Sequence, residues 1–273
     1  MHTPVLLDEA VKALEVKNGK KYIDATFGEG GHSLGILEKG GKVLGIEWDE
    51  DKVKSQKSRV KSYKNLKLVW GNFKNIEKIA KENDFYPVDD VLFDLGLSME
   101  QIEKSGRGFS YKRINEPLDM RISQKLDRTA ADIINSLSGQ ELYEVFARNS
   151  EEVRSWSIAQ AIVGARSLKR IETVGDLVTI IRGNENTLRR IFQALRIEVN
   201  QEFDNLKEGL RGVIKILKKE GRVVVITFHP LEDRIVKQFV VNNKLVSLIR
   251  KPIMAKNGKR FERSAKMRIF GRC

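Results

Sequence analysis

Short apolar runs alternate with helical stretches over the first hundred residues, and this alternation strongly limits the folds open to the chain. The apolar runs are rich in Val, Ile, Leu or Tyr and span residues 21–26, 42–48, 66–70 and 90–95. The stretches between them, such as residues 51–63 and 73–83, have apolar residues at helical spacing. Strands that alternate with helices in this way predict an α/β fold with a parallel, doubly wound sheet and helices on both faces.

The pattern changes in the middle of the chain. From Thr129 to about Arg182 the apolar residues recur at spacings of three and four, and no run is typical of a strand. A long amphipathic helix is predicted from Thr187 to a C-cap at Gly221. Three further strand-like runs follow at residues 222–228, 245–253 and 265–270.

These changes predict a discontinuous sheet domain that carries an inserted helical domain. The sheet domain is expected to comprise residues 1–103 and 206–273, and the insertion residues 104–205. No apolar run approaches the roughly 20 residues of a membrane-spanning helix, and Met1–Pro4 lacks the features of a signal peptide. A cytoplasmic protein with no membrane partner is therefore expected.

The charge balance points to a polyanionic partner. Lys and Arg number 50 against 37 Asp and Glu, which gives a formal charge of +13. Nucleic acid is the most common partner of so basic a chain, and a thermophile-like surface rich in Lys and Glu is the alternative. The single cysteine, Cys273, excludes an intramolecular disulfide and a metal cluster held by cysteines.

A glycine-rich loop follows the first predicted strand, in the sequence DATFGEGGHS at residues 24–33. Such a loop lets the backbone approach a ligand, and the helix after it offers unpaired amides. Glu47 ends the next strand, 19 residues after Gly28, where an acid accepts hydrogen bonds from ribose hydroxyls. The arrangement predicts a nucleoside-binding unit.

Two cofactor classes use a unit of this kind, and the loop favours one of them. The glycines depart from the G-x-G-x-x-G spacing that seats a pyrophosphate, and Glu29 would repel an anion. S-adenosyl-L-methionine has a sulfonium and an ammonium group and no phosphate, so nearby acids such as Asp24 suit it. The loop therefore favours methyl transfer over hydride transfer with a nicotinamide cofactor.

Asp94 and Ser98 follow the fourth predicted strand in the sequence FDLGLSMEQ. Strand ends line the ligand crevice of a doubly wound sheet, so both side chains are expected at the cofactor cavity, as candidate catalytic residues. Each also has a purely structural interpretation, Asp94 as a turn former and Ser98 as the N-cap of a helix that holds Gln101. Both interpretations stay open at this point.

The residue types also limit the methyl acceptor. Methylation at carbon 5 of cytosine needs a thiolate that adds to the ring, and Cys273 is the only thiol. Methylation of an exocyclic amine needs only alignment and acceptors for its N–H bonds. Asp94 is the first candidate acceptor and His229 the second, with a further role as proton acceptor. His32 is expected to shape the cofactor site.

Two basic segments are candidate RNA surfaces. Residues 104–128 hold seven basic side chains against three acids, with Phe109 and Tyr111 among them, and residues 250–273 hold nine against one. Basic groups bind phosphates and aromatic rings stack on unpaired bases, although solvated charged faces would have the same composition. The segment GRGFSYKRINEPLDMR has no regular periodicity, which is typical of a lid.

Seven motifs together resemble the bacterial 16S ribosomal RNA cytosine N(4)-methyltransferase family. They run in order from His2 to Arg268 and read HTPVLLDEAV, DATFGEGGHS, FDLGLSMEQ, RGFSY with EPLDMR, FQALRIEVNQE, ITFHPLEDRIVKQF and RSAKMRI. The resemblance implies a Rossmann-like methyltransferase sheet, parallel with antiparallel last strands, that carries an inserted all-helical domain. It also implies methylation of a cytidine N(4) amine in the decoding region of the small ribosomal subunit.

The resemblance assigns residues as well. It implies S-adenosyl-L-methionine contacts at Gly30, Gly31, His32, Glu47, Phe73, Asp94 and Gln101. The chain departs from the family pattern at Glu29 in place of Arg, at Glu47 in place of Asp and at Pro230 in place of Ser, and its segment before the last strand is shorter. Because this segment is shorter, the resemblance does not establish that the chain makes the RNA contacts that longer relatives make there.

Two alternatives from other classes accompany this prediction. One is a non-catalytic RNA-binding or ribosome-assembly protein on a methyltransferase scaffold, and the other is a nicotinamide-dependent oxidoreductase. Intact Gly30, Gly31, Glu47 and Asp94 favour the enzyme. The sequence does not decide between free RNA and an assembled subunit as substrate, nor whether the chain forms a homodimer.

Overall fold

The computed structural model describes residues 4–255 and 262–272. The chain divides into two compact units. The sheet unit comprises Met1–Gly96 and Phe203–Cys273, and the helical unit comprises Leu97–Glu202. The domain boundaries predicted from the sequence lie a few residues further along the chain.

The strands alternate with helices in the first part of the chain, as the sequence pattern predicts. The strands are β1 Lys21–Asp24, β2 Lys42–Glu47, β3 Leu66–Trp70, β4 Val88–Asp94, β5 Leu217–Thr227, β6 Val246–Ser247, β7 Ile253–Met254 and β8 Lys266–Gly271. The helices are α1 Leu7–Ala13, α2 Gly31–Glu38, α3 Glu50–Lys61, α4 Ile76–Glu82, α5 Met99–Lys104, α6 Ala130–Ser136, α7 Gly139–Ser150, α8 Ser155–Arg166, α9 Val174–Ile181, α10 Glu185–Asn200, α11 Glu202–Ile216 and α12 Pro230–Asn242. Within the described ranges, no helix is long and apolar enough to cross a membrane.

All strands of the sheet unit belong to one sheet, in the order β3-β2-β1-β4-β5-β8-β6, with β7 also paired to β8. Strands β1 to β5 pair in parallel, and β8 is antiparallel to β5, β6 and β7. The predicted fold class, a parallel sheet with antiparallel last strands, is confirmed. The carboxyl ends of β1 to β5 share one edge, and the strand order reverses between β1 and β4. Ligands bind at such a reversal in open α/β sheets.

The sheet is buried on both faces, which explains why its strands read as nearly continuous apolar runs. Ile23, Phe93 and Val225 belong to the core on one face. Their neighbours along the strands, such as Tyr22 and Leu92, belong to the core on the other face. The two cores hold the strand ends rigidly, because each strand is packed from both sides.

The helical unit has a core of its own, to which α6 to α10 each contribute. Its helices begin at side-chain N-caps, which are Thr129, Ser138, Thr173 and Asn184 for α6, α7, α9 and α10. Pro117 and Thr173 form an isolated bridge, and the unit is otherwise helix and loop. The predicted helical insertion is therefore present.

Three details of the predicted elements are wrong. The run at residues 245–253 is not one strand, because only its two ends lie in strands, β6 and β7. The long helix predicted from Thr187 to Gly221 is broken at Gln201, which has a left-handed φ of 50°. One residue of altered backbone leaves the apolar spacing nearly unchanged, so periodicity does not reveal it. Gly221 is no C-cap but lies within β5, where a Cβ would approach the Asp89 carbonyl oxygen to 2.5 Å.

Candidate functional site

The glycine-rich loop lies between β1 and α2, and its glycines have different reasons to be there. Gly28 and Gly30 have left-handed φ values of 55° and 75°, which favour glycine. A Cβ at Gly31 would lie 2.3 Å from the Pro4 ring, so this glycine allows the N-terminal segment to pack on α2. Among the described residues, a Cβ at Gly28 would meet only the Thr26 carbonyl oxygen, at 3.8 Å. The backbone is thus open to a ligand at Gly28.

A cluster of buried polar groups connects this loop with the ends of β1 and β4. The Ser33 hydroxyl donates to Asp24 Oδ2 at 2.7 Å, and the Asp94 backbone N–H donates to Thr26 Oγ1 at 2.6 Å. His32 Nε2 lies 3.3 Å from Asp94 Oδ2. The sheet therefore brings the predicted residues His32 and Asp94 together, as adjacent strand ends require.

Charge and burial compete in this cluster. Burial raises the pKa of Asp24, partly offset by the charge of His32 and the Ser33 hydroxyl. Burial alone would lower the pKa of His32, but the close approach of the Asp94 carboxyl, together with Asp24, leaves the His32 pKa above its ordinary value. The cluster holds two carboxyl groups and one imidazole, so acidic side chains outnumber basic ones around the start of α2.

Several atoms of the cluster are buried without a hydrogen-bond partner. Within residues 4–255 and 262–272, both ring nitrogens of His32 and Asp94 Oδ1 make no hydrogen bond. The 3.3 Å approach of His32 to Asp94 is therefore an ion-pair distance with the ring turned away from hydrogen-bond alignment. Buried polar atoms are nearly always satisfied in native proteins. Their state here points to a polar ligand that completes the site.

Glu47 is held at the end of β2 by two backbone amides. Oε2 accepts from the Gly28 N–H at 2.8 Å, and Oε1 accepts from the Asp49 N–H at 2.9 Å. Burial raises the pKa of Glu47, and the positive charge of buried Lys52 opposes this rise. Each carboxylate oxygen keeps a second lone pair for a ligand hydroxyl. The extra methylene of Glu over Asp lets the carboxylate reach back to the glycine loop.

The end of β3 supplies Phe73 and an amide that the sequence analysis did not identify. Phe73 lies edge-on to Phe93, with ring centroids 5.5 Å apart. Asn72 Oδ1 accepts from the Lys74 N–H at 2.9 Å. Asn72 Nδ2 is buried and has no partner in the described part of the chain. In the sequence, Asn72 stands between the end of β3 and Phe73, and this position could have identified it as a candidate site residue.

His229 lies two residues after the end of β5, at the same edge of the sheet. Its ring packs on Phe203 with a centroid distance of 5.7 Å, and its Nε2 lies 3.0 Å from Oε1 of buried Glu232. The distance is that of a hydrogen bond, with the ring rotated from ideal alignment. Glu232 is a further candidate site residue that sequence reasoning missed. Its place three positions after a strand-end histidine was the available signal.

Ser98 and Gln101 belong to the helical unit, where they form the capping box of α5. The Gln101 N–H donates to Ser98 Oγ at 3.2 Å, and the Ser98 N–H donates to Gln101 Oε1 at 3.1 Å. The structural interpretation of Ser98 as an N-cap is therefore correct. Roles of Ser98 in catalysis and of Gln101 in cofactor binding stay predictions.

The basic segment 104–128 is partly internal. Arg107 is buried, and its guanidinium donates to the Ile122 carbonyl at 2.7 Å. Arg121 forms two hydrogen bonds with the Asp119 carboxylate, at 2.7 and 3.0 Å. The predicted role of such side chains as phosphate contacts is wrong for Arg107, because its charged group is committed to backbone carbonyls.

The aromatic residues and the loop around them are also committed to the helical unit. Phe109 and Tyr111 pack against its core, and Tyr111 lies edge-on to Phe192 at 6.0 Å. Glu116 accepts from the Gly108 N–H through its side chain and from the Val174 N–H through its carbonyl. The loop predicted as a lid is thus fastened to the helices. Exposed cations of the segment are Lys104, Lys112, Arg113, Lys125 and Arg128.

The second basic segment, 250–273, is only partly covered by the structure. Residues 256–261 and Cys273 lie outside the described residues. Inside the described part, Arg268 pairs with Asp233 at 2.6 Å and joins β8 to α12. Arg268 therefore has a structural role.

Comparison with known proteins identifies close sequence relatives. The sequence profile of the MraW methylase family matches residues 1–272. The protein named ribosomal RNA small subunit methyltransferase H from Thermomicrobium roseum is 44% identical over 87% of this chain and 76% of its own length. The protein of the same name from Dictyoglomus thermophilum is 42% identical over 98% of this chain and 96% of its own.

Among solved structures, NSun6 from Pyrococcus horikoshii is similar in fold. It superposes with a TM-score of 0.50 at 12% sequence identity, over 100% of this chain and 52% of that protein. At this identity the likeness concerns the fold alone. It agrees with the doubly wound sheet described above.

Proposed function

Because the chain belongs to the MraW methylase family, we propose that it methylates the N(4) amine of a cytidine in the decoding region of 16S ribosomal RNA. The family predicted from the sequence motifs is confirmed by these matches. The donor is S-adenosyl-L-methionine, and the proposed place of action is the cytoplasm, where the small ribosomal subunit is made. The observation that carries the proposal is the row of polar side chains at the strand ends.

The residues present suit the cofactor. Gly30, Gly31 and the backbone amides at the start of α2 are proposed to contact the cofactor. Glu47 is proposed to bind its ribose hydroxyls, and Phe73 its adenine. Unpartnered Asn72 Nδ2 adds a donor for a ring nitrogen of the adenine. The two carboxyl groups of the Asp24, His32 and Asp94 cluster are the proposed partners of the sulfonium and ammonium groups, and this part of the proposal explains the buried unpartnered atoms of the cluster.

The bound cofactor supplies an electrophilic methyl group, so that a carbon–nitrogen bond forms as the carbon–sulfur bond breaks and its electron pair stays on sulfur. The amine must then lose one proton. Asp94 Oδ1 is a buried acceptor available for one amine N–H. His229 is the proposed proton acceptor, because it lies just after β5, at the same edge of the sheet as Asp94, and an imidazole nitrogen can accept a proton. No thiol is required by this route.

Ribosomal RNA is the proposed substrate because of the relatives' names and the basic charge of the chain. Exposed Lys104, Lys112 and Arg113 of the helical unit are the proposed phosphate contacts. A cytidine that is unpaired or flipped out of its stack would reach the strand ends most easily.

The test is methyl transfer with purified components. Small ribosomal subunits from a strain that lacks the gene are incubated with the protein and isotope-labelled S-adenosyl-L-methionine, and the nucleosides are then analysed by mass spectrometry. N(4)-methylcytidine is expected, and 5-methylcytidine or no product would contradict the proposal. Free 16S RNA serves as the parallel substrate. Binding of NAD in place of S-adenosylhomocysteine would favour the oxidoreductase alternative.

A further inference from the structure

Glu232 is a buried carboxylate in the first turn of α12, and both of its oxygens face the end of β5. Oε2 accepts from the Phe228 N–H at 2.8 Å and from the His229 N–H at 3.4 Å. Oε1 lies 3.0 Å from His229 Nε2. The side chain of Glu232 has only 3% of its surface exposed, so this carboxylate is fixed by packing as well as by hydrogen bonds.

This arrangement makes the two nitrogens of His229 unequal. A carboxylate oxygen is only an acceptor, so the nitrogen beside it must be the protonated one in a neutral imidazole. That nitrogen is Nε2. Nδ1 then carries the lone pair. Neither ring nitrogen has an aligned hydrogen bond among the described residues, so the 3.0 Å approach of Nε2 to the carboxylate is what distinguishes them. The ring also packs on Phe203, whose side chain has no charge and no hydrogen-bond acceptor.

We infer that Glu232 is a positioning residue that holds His229 in the Nε2–H tautomer, with Nδ1 as the atom that receives the amine proton. The inference rests on the proposed function, because it assigns an atom to the proposed proton acceptor. After the carbon–nitrogen bond has formed, the electron pair of one N–H bond returns to the amine nitrogen and the proton moves to Nδ1. The resulting imidazolium is stabilised by the Glu232 carboxylate, as a carboxylate stabilises the histidine of a catalytic triad.

Glu232→Gln tests the inference while keeping the shape of the side chain. The Phe228 N–H needs an acceptor, so the side-chain oxygen of the Gln is expected to face it. The side-chain NH2 group of the Gln then faces His229 Nε2. An N–H donor at this place selects the opposite tautomer, with Nδ1 protonated and unable to accept. The fold is expected to persist, since the backbone hydrogen bond and the volume are retained.

The primary readout is the nitrogen-15 NMR spectrum of the imidazoles, recorded where His229 is neutral. The chain has three histidines, so His2→Gln and His229→Gln variants are sufficient for assignment. The wild-type protein is expected to show Nε2–H at His229, and Glu232→Gln is expected to show Nδ1–H. An unchanged tautomer in Glu232→Gln, or Nδ1–H in the wild type, would overturn the inference.

Kinetics give the second readout. Glu232→Gln is expected to lower kcat at least about 100-fold, as loss of the orienting carboxylate does in catalytic triads, with the KM for the cofactor changed less than about threefold. Asp233→Asn is the matched control, because Asp233 is the next acid along α12 and its own carboxylate pairs with Arg268 and not with His229. It is expected to keep the tautomer and to keep kcat within about threefold.

The NMR and kinetic measurements distinguish a failure of this inference from a failure of the proposed function. The NMR arm needs no activity, so a wild-type protein that methylates no cytidine would count against the proposed function alone. Full kcat in Glu232→Gln with a switched tautomer would overturn the role of Nδ1 as proton acceptor. Full kcat in His229→Ala would overturn it as well.

Discussion

His32 Nε2 lies 3.3 Å from Asp94 Oδ2, which links the first turn of α2 to the end of β4. The two side chains come from segments more than sixty residues apart in the sequence. The pair leaves Asp94 Oδ1 buried and without a partner in the described residues. One oxygen of Asp94 therefore belongs to the charge cluster, and the other is available to a ligand.

This division of Asp94 leads to a kinetic prediction. Asp94→Asn keeps the size of the side chain but removes the charge that faces the amine in the transition state. We expect kcat to fall about 100-fold or more, while the affinity for S-adenosylhomocysteine changes modestly. Single-turnover kinetics at saturating cofactor is the measurement.

Asp90→Asn is a matched control on the same strand, because Asp90 lies towards the other end of β4. It is expected to leave kcat within about threefold of the wild type. Recovery of the full Asp94→Asn rate at saturating cofactor would mean that Asp94 only holds the cofactor.

Glu47 is expected to contribute to cofactor binding through its free lone pairs. Glu47→Ala removes a charged acceptor for the ribose and releases the Gly28 amide, so the affinity should fall by about 1.5–3 kcal/mol. Titration calorimetry with S-adenosylhomocysteine is the measurement. Glu82→Ala, which removes an exposed carboxylate from α4, is expected to bind normally. An unchanged affinity in a folded Glu47→Ala protein would place the ribose elsewhere.

The raised pKa of the Asp90 carboxyl leads to a prediction about how the stability of the protein depends on pH. Burial raises the pKa of Asp90 to about 7, against the opposing effects of the Arg222 N–H and guanidinium. The folded state thus binds a proton that the unfolded state releases near pH 3.8. The contribution of Asp90 to stability is complete below that pH and is lost as the pH rises through about 7.

Asp90→Asn is expected to remove this slope. Asn keeps an oxygen to accept from the Arg222 N–H, which donates at 2.7 Å, and has no charge to bury. We expect the variant to exceed the wild type in free energy of unfolding by about 1–3 kcal/mol at pH 8 and to differ little at pH 4. Urea unfolding at a series of pH values is the measurement. Parallel pH profiles for the two proteins would contradict the assignment.

If the exposed cations of the helical unit bind RNA phosphates, they determine how strongly RNA affinity depends on salt concentration. Replacing Lys104, Lys112 and Arg113 with Gln should weaken binding and reduce the slope of log affinity against log salt by about 0.7–0.9 for each phosphate that is no longer neutralised. Titrations at several salt concentrations measure the slope. Exposed Lys57, Lys61 and Lys64 of the sheet unit offer a control that removes the same charge. An equal loss of affinity in both triple variants would indicate a general charge effect and no RNA-binding surface at the helical unit.

Arg107 leads to a different prediction. Its buried guanidinium donates to the carbonyl groups of Arg121 and Ile122, so Arg107→Ala removes the donor from two partly buried acceptors. We expect it to lower the free energy of unfolding by about 1–3 kcal/mol, as measured by urea unfolding. Wild-type stability with reduced RNA affinity would restore Arg107 as a residue that binds phosphate.

The strand pattern and the strand-end acids were predictable from the sequence. A strand buried on both faces must be apolar, and parallel strands connected by helices end at one edge. The apolar runs that end near Glu47 and Asp94 therefore predict both the sheet and the place of these carboxylates at one edge. The motifs added the family, because their order and spacing are specific to it.

The tertiary structure alone decided which polar groups are internal and which partner each one has. Arg107 and exposed Arg113 are the same residue type a few positions apart, yet only Arg107 is buried against carbonyl groups. The break at Gln201 leaves the apolar spacing intact, and the approach of Glu232 to His229 depends on how α12 leaves β5. Residue type states what a side chain can bond to, whereas burial and distance, which arise from packing between remote segments, determine which of those bonds form.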